Sequence, residues 1–208
     1  MPDKETWRRV IEHCAGYFER LVNLAGYLWV MALLACMCLG QQKASSSGTK
    51  PQAPIPEMQR LESAFVGDWK TTEIMERSQF FPNGGGRSGN AHFQMGPGGY
   101  SLIGEGKSDG SAGKLEFLIV TWWDPSEHLY QYFVCFNGAG RPCQIRGTAH
   151  WEGKNFVNEY ESSEGGKMTK WKDTFTDITA NSFTLLAAMQ MDDGSMKTMI
   201  TTKNVRHK

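Results

Sequence analysis

The sequence predicts an all-β fold: a roughly ten-stranded antiparallel up-and-down β-barrel with a short N-terminal helix. Three observations carry this. No segment after residue 65 sustains a helical period, strand-like runs alternate with turn chemistry, and the connections are short and uniform. Turns are read at 82–86 (PNGGG), 96–99 (GPGG), 108–113 (SDGSAG), 124–127 (DPSE) and 137–142 (NGAGRP). Four more lie at 152–154 (EGK), 164–167 (EGGK), 179–182 (TANS) and 192–195 (DDGS), so nine turns separate ten runs. Evenly spaced short strands with tight turns indicate a sandwich or a barrel. Greek-key sandwiches need some long crossings, and none is visible here, which favours the barrel.

Composition agrees with one folded domain plus attachments. The chain has 208 residues, 40% of them hydrophobic and 12% aromatic, too rich for a disordered polymer. Lys plus Arg and Asp plus Glu are 22 each. Residues 1–40 hold four of each sign (Lys4, Arg8, Arg9, Arg20; Asp3, Glu5, Glu12, Glu19), which leaves 18 against 18 from Gln41 onward. That balance argues against a nucleic-acid partner, which usually draws a basic excess.

Residues 1–40 are expected to direct export. Leu21 to Leu39 is uncharged and mostly apolar, Arg20 precedes it, and Cys38-Leu39-Gly40 supplies small residues for a cut before Gln41. Two other fates fit the same stretch. Leu33-Leu34-Ala35-Cys36 approximates a lipobox that would leave a lipid on Cys36, and nineteen residues would also span a bilayer as an uncleaved anchor. The long, acid-containing start is explained by a later translation start or by a short amphipathic helix carrying Trp7, Val10, Ile11, Cys14, Phe18 and Leu21. The expected location is therefore periplasmic, envelope-attached or secreted, with membrane contact only through this segment.

Residues 41–56, QQKASSSGTKPQAPIP, read as a flexible Ser/Pro-rich tether, and 57–208 as the barrel domain. Within it, 57–65 predicts the short helix, with Pro56 suited to its first turn and Met58, Leu61 and Phe65 on one face. Alternation then reports strand faces. Leu115, Phe117, Ile119 and Trp123 share one side, as do Trp171, Asp173 and Phe175. Both faces of 129–136, LYQYFVCF, are bulky, so one must be covered or face a cavity. Outside 1–40 the cysteines are Cys135 and Cys143, flanking a Gly/Pro-rich turn. A disulfide between them is expected in an oxidising compartment, with two separate thiols as the alternative. No metal site is expected, since two Cys without a neighbouring His fall short of four ligands.

Gly67-Asp68-Trp69, at the entrance to the first strand after a short helix, resembles the lipocalin and calycin barrels. In that resemblance the Trp69 ring plugs the closed barrel end, and a basic residue after the last strand, Lys203 or Arg206, lies across it. A longer run is similar to the bacterial family called domain of unknown function 1579: Leu61…Val66-Gly67-Asp68-Trp69, Trp123-Asp124-Pro125…Tyr130, Gly147-Thr148…Trp151-Glu152-Gly153, Lys170-Trp171-Lys172-Asp173…Phe175 and Met199-Ile200-Thr201-Thr202. The similarity covers about 57–206 and implies a lipocalin-like barrel, with no catalytic residue to carry over. The Cys135/Cys143 pair departs from that pattern.

Candidate site residues are the polar minority on inward faces. Asp173, between Trp171 and Phe175, is expected inside; a buried carboxylate takes a partner or a proton. Glu73 shares the face of Trp69. Gln144, Arg146, Thr148 and His150 share one face, either solvated or lumenal; in the lumen Arg146 would bind a carboxylate head group bidentately. No cofactor is expected; the alternative is a haem iron ligated by His92 or His150, as the resemblance to haem-binding relatives of this barrel class implies, and a lone strand His is otherwise a plain polar residue. Trp123 and Tyr132 supply lining. Gly106-Lys107-Ser108-Asp109-Gly110 fits the hydrolase elbow pattern but lies in a predicted turn between strands, with no helix after it. The expectation is an exported, non-enzymatic barrel binding a small apolar or amphipathic molecule. The alternatives are a small-substrate enzyme using Asp173, Glu73 or His150, and a structural envelope barrel packed shut.

Overall fold

The computed structural model describes residues 55–207 apart from 79–81, 138–142, 144 and 165. The expected export segment at 1–40, and all of the expected tether at 41–56 except Ile55 and Pro56, lie outside the described residues. One helix, α1 (Pro56–Phe65), precedes ten strands: β1 (Gly67–Met75), β2 (Gly85–Met95), β3 (Ser101–Gly110), β4 (Leu115–Asp124), β5 (Leu129–Phe136), β6 (Ile145–Glu152), β7 (Asn155–Glu164), β8 (Lys167–Thr176), β9 (Ser182–Gln190) and β10 (Met196–Arg206). Every strand pairs antiparallel with its chain neighbours, and β1 pairs with β10, so the sheet is a closed barrel without edges.

Local chemistry explains the elements. Pro56 opens α1, where its missing N–H costs nothing, and Met58, Leu61, Ala64 and Phe65 form the buried stripe. The helix stops at Val66, whose N–H donates to the Glu62 carbonyl, and Gly67 takes φ +136°, a conformation few L-residues adopt. Strand β3 runs further than expected. Its ladder with β2 continues through Ser88↔Asp109 and Arg87↔Gly110, so Ser108-Asp109-Gly110 is strand and the connection begins at Ser111. The elbow-like pattern thus lies inside a strand, and the next element is β4 rather than a helix.

Connections after odd-numbered strands gather at one end of the barrel and those after even-numbered strands at the other. The α1 end is packed with aromatics. Phe65 meets Phe175 and Phe183 edge-on at 5.3 Å, and Trp69 meets Phe183 at 4.7 Å. The Trp69 indole donates to the Phe65 carbonyl (2.8 Å), and the Tyr130 hydroxyl donates to the Glu57 carbonyl (2.9 Å). Arg60 lies 3.8 Å from the centre of the Trp151 ring and donates to the Gly153 carbonyl. At the opposite end a disulfide joins Cys135, the penultimate residue of β5, to Cys143.

Candidate functional site

Trp69 and Arg206 stand opposite each other in the β1–β10 ladder. The Arg206 guanidinium lies 4.3 Å from the Trp69 ring centre and donates to the carbonyls of Val66 (2.8 Å) and Ala180 (2.6 Å). A Cβ at position 67 would fall 2.0 Å from Arg206 Nη1, so Gly67 leaves the space that the guanidinium fills. Lys203 is exposed on the outer face. The closed end is therefore sealed by a cation over an indole, with α1 behind it.

Deeper in, the barrel is not filled with carbon. Register places Trp123, Tyr130 and Tyr132, Gly147, Asn158 and Tyr160, Trp171 and Asp173, and Ala187 on the inward side of β4 to β9. Ile119, Val134, Tyr160, Asp173 and Leu185 point inward yet are only partly buried. Asp173 keeps accessible surface although its side chain points into the barrel.

A polar cluster faces inward from β5, β7 and β8. Tyr160 and Trp171 are cross-strand partners with near-parallel rings, centres 6.2 Å apart, and Tyr132 meets Tyr160 edge-on at 5.9 Å. Gly147 sits between the two tyrosines, and a Cβ there would fall 2.6 Å from the Tyr132 ring and 2.3 Å from the Glu159 carbonyl. Asn158 lies directly across from Asp173. Three side-chain atoms here are buried without a hydrogen-bond partner: the Tyr132 hydroxyl, Asn158 Oδ1 and Trp171 Nε1. Each such atom costs about 1–3 kcal/mol. Burial raises the Asp173 carboxyl to about 7, although the Tyr160 hydroxyl, 3.5 Å away, opposes the shift. Burial, with Asp173 and Tyr160 adding, also pushes the Tyr132 hydroxyl up, so it stays protonated at neutral pH.

Glu73 is inward on β1 and buried, as its alternation suggests, but it is not free. Arg87 of β2, its cross-strand partner, grips Oε1 through Nε (2.6 Å) and through Nη2. Trp123 packs edge-on against Tyr130 at 4.9 Å. Two lumenal readings are corrected. Arg146 is exposed on the outer face of β6, 5.4 Å from the Phe133 ring centre, and covers the bulky outer side of β5. His150 is on the same outer face, bonded to Glu152 (3.1 Å). Their inward neighbours are Ile145, Gly147, Ala149 and Trp151, the smaller or apolar set. His92 is also outside, 2.7 Å from Asp68. No haem is held in the lumen by either histidine, since both point away from it. Among the described residues no three His, Cys, Asp or Glu side chains converge as metal ligands.

A groove of about 680 Å³ over β1 to β4 is lined by the charged or polar Asp68, His92, Glu105 and Lys107 and also by Trp69, Ala91 and Phe117. Its charges are of both signs and open to solvent, so it lacks the desolvation that gives the lumenal cluster its chemistry.

No protein-family model and no curated protein matches the sequence. Among solved structures, the chain is similar to Rv2717c from M. tuberculosis at 11% identity and TM-score 0.44, covering 74% of this chain and 99% of that one. It is similar to a de novo designed fluorescence-activating β-barrel at 12% identity and TM-score 0.37, over 70% and 97%. The mFAP2b structure bound to DFHBI is matched at 15% identity and TM-score 0.41, over 72% and 99%. These likenesses concern architecture, and no residue role is taken from them.

Proposed function

We propose that this chain is a binding protein whose lumen takes a small, mainly apolar molecule carrying one polar group. One observation carries the reading: three buried polar atoms without partners, on Tyr132, Asn158 and Trp171, belong to the inward layer in which Ile119, Val134, Tyr160, Asp173 and Leu185 keep accessible surface. A barrel packed shut for structural reasons would gain by replacing Tyr132, Asn158 and Trp171 with apolar residues of similar volume. Burying roughly 300 Å² of ligand at about 25 cal/mol/Å² supplies about 7 kcal/mol before association costs, enough for micromolar affinity. The reading includes export and membership of the domain of unknown function 1579 family. The motif run supports the family, and the Cys135–Cys143 disulfide supports an oxidising compartment.

Titration with N-phenyl-1-naphthylamine, an apolar dye that brightens on desolvation, tests it. The full chain should bind the dye saturably, and Val134→Trp, which puts an indole into the lumen, should abolish binding while leaving the melting temperature within a few degrees. Binding unchanged by Val134→Trp would place the dye elsewhere and sink the proposal. A second reading, a small-substrate enzyme, draws on Asp173 at about 7 beside the Tyr160 hydroxyl, a pair suited to acid–base work. It requires turnover that Asp173→Asn removes.

A further inference from the structure

We infer that the lumenal cluster is a cation site, which recognises a protonated amine on an apolar body through Asp173, Asn158 and Tyr132. This rests on the lumenal binding reading above and gives its polar group an identity.

The hydrogen-bonding inventory favours an ammonium. Asn158 Oδ1 is an acceptor with no partner, and it belongs to the residue paired across the ladder from Asp173. The Tyr132 hydroxyl has an unused lone pair as well as its proton. The Asp173 carboxyl accepts from Tyr160 alone among the described side chains, which leaves most of its capacity open. An alkylammonium has three N–H donors and no acceptor, and these groups match it. Trp171 Nε1 only donates, so it suits an oxygen elsewhere on the ligand.

Charge points the same way. Among the described residues no cation reaches Asp173. Arg87 is held by Glu73, Arg206 is held over Trp69, and Lys172 stands on the outer face of β8 against Glu152. A ligand cation would supply the missing counter-charge, whereas a carboxylate head would set two negative groups together in a poorly solvated space. Tyr132, Tyr160 and Trp171 form a contiguous aromatic cluster on the same inward sector, the kind of surface that attracts ammonium groups through ring faces.

The test compares three probes of one shape on the purified full chain by calorimetry at pH 8: 2-phenylethylamine, 2-phenylethanol and phenylacetate. The amine should bind at least tenfold tighter than the alcohol, and phenylacetate weakest. Amine affinity should fall about tenfold from pH 8 to pH 6 as Asp173 takes up its proton. Tyr132 from β5 and Tyr160 from β7 face that carboxyl, while β9 brings Ala187 and Met189, which do not titrate. Asp173→Asn should bring the amine to within about twofold of the alcohol, with folding checked by its melt. Equal binding of amine and alcohol by the unaltered chain, or a preference that survives Asp173→Asn, overturns the cation site and leaves the lumenal reading standing. Failure of all three probes together with N-phenyl-1-naphthylamine overturns both.

Discussion

Replacing Asp173 with Asn should make the unliganded protein more stable at neutral pH. The carboxyl is raised from 3.8 to about 7 by burial. Below about pH 4 the group is protonated in both folded and unfolded chains, and ionisation costs nothing. Between about pH 4 and pH 7 the unfolded chain releases the proton while the folded chain holds it, so stability falls as pH rises, and above about 7 the full cost is present. About three units at 1.36 kcal/mol each give roughly 4 kcal/mol, an upper bound because the residue keeps contact with the lumenal space. Asn keeps an acceptor for the Tyr160 hydroxyl and never ionises. Urea unfolding of both proteins at pH 4.5, 6, 7 and 8 measures the effect, and subtracting the two profiles removes every other titrating group. The variant should exceed the parent by only about 1 kcal/mol near pH 4.5 and by about 2–4 kcal/mol at pH 8. A difference that stays constant across that range would refute the assignment of Asp173 as a carboxyl whose ionisation opposes folding.

Three further outcomes are expected from the same geometry. Arg206→Ala should cost about 2–3 kcal/mol, from a ring contact and two carbonyl bonds. Gly67→Ala should cost at least as much, and the double variant should show strong non-additivity in a thermodynamic cycle, because both changes dislodge one guanidinium. Glu73→Ala should destabilise by about 3–5 kcal/mol by leaving Arg87 buried and unpaired, and Glu73→Leu with Arg87→Met should recover most of it in denaturant titrations. Cys135→Ser should cost about 2–3 kcal/mol, the loop-closure value for a sequence separation of 8, and a reducing agent should lower the parent to the same midpoint.

Turn chemistry made the ten strands legible because each Gly, Pro, Asn or Asp cluster has a local cause. Asp173 was legible for the same reason, since its two inward neighbours are large aromatics. Asn158 offered the same signal in Phe156-Val157-Asn158-Glu159-Tyr160, where the odd residue out at the inward positions is a polar one; a period-two reading of that run would have found it. Arg87 was hidden inside a glycine-rich stretch that reads as turn, and its bond to Glu73 depends on the register of β1 against β2, which no local pattern contains. The facing of β6 stayed open because its polar side, Gln144, Arg146, Thr148 and His150, suits solvent and a polar lumen alike. The volume available beside Tyr132 decided it, with Gly147 and Ala149 inward and Arg146 and His150 out.

Nine of the ten strand pairings join neighbours in the chain, so each forms as a hairpin with little loop to close. The tenth, β1 with β10, must find its partner across almost the whole domain; the Arg206 to Val66 bond spans 140 residues. Topology therefore predicts that the slow step of folding falls on this seam, where the guanidinium settles over Trp69. The plug at the base of the barrel therefore doubles as the clasp of a necklace: until it shuts, the ten strands enclose no interior.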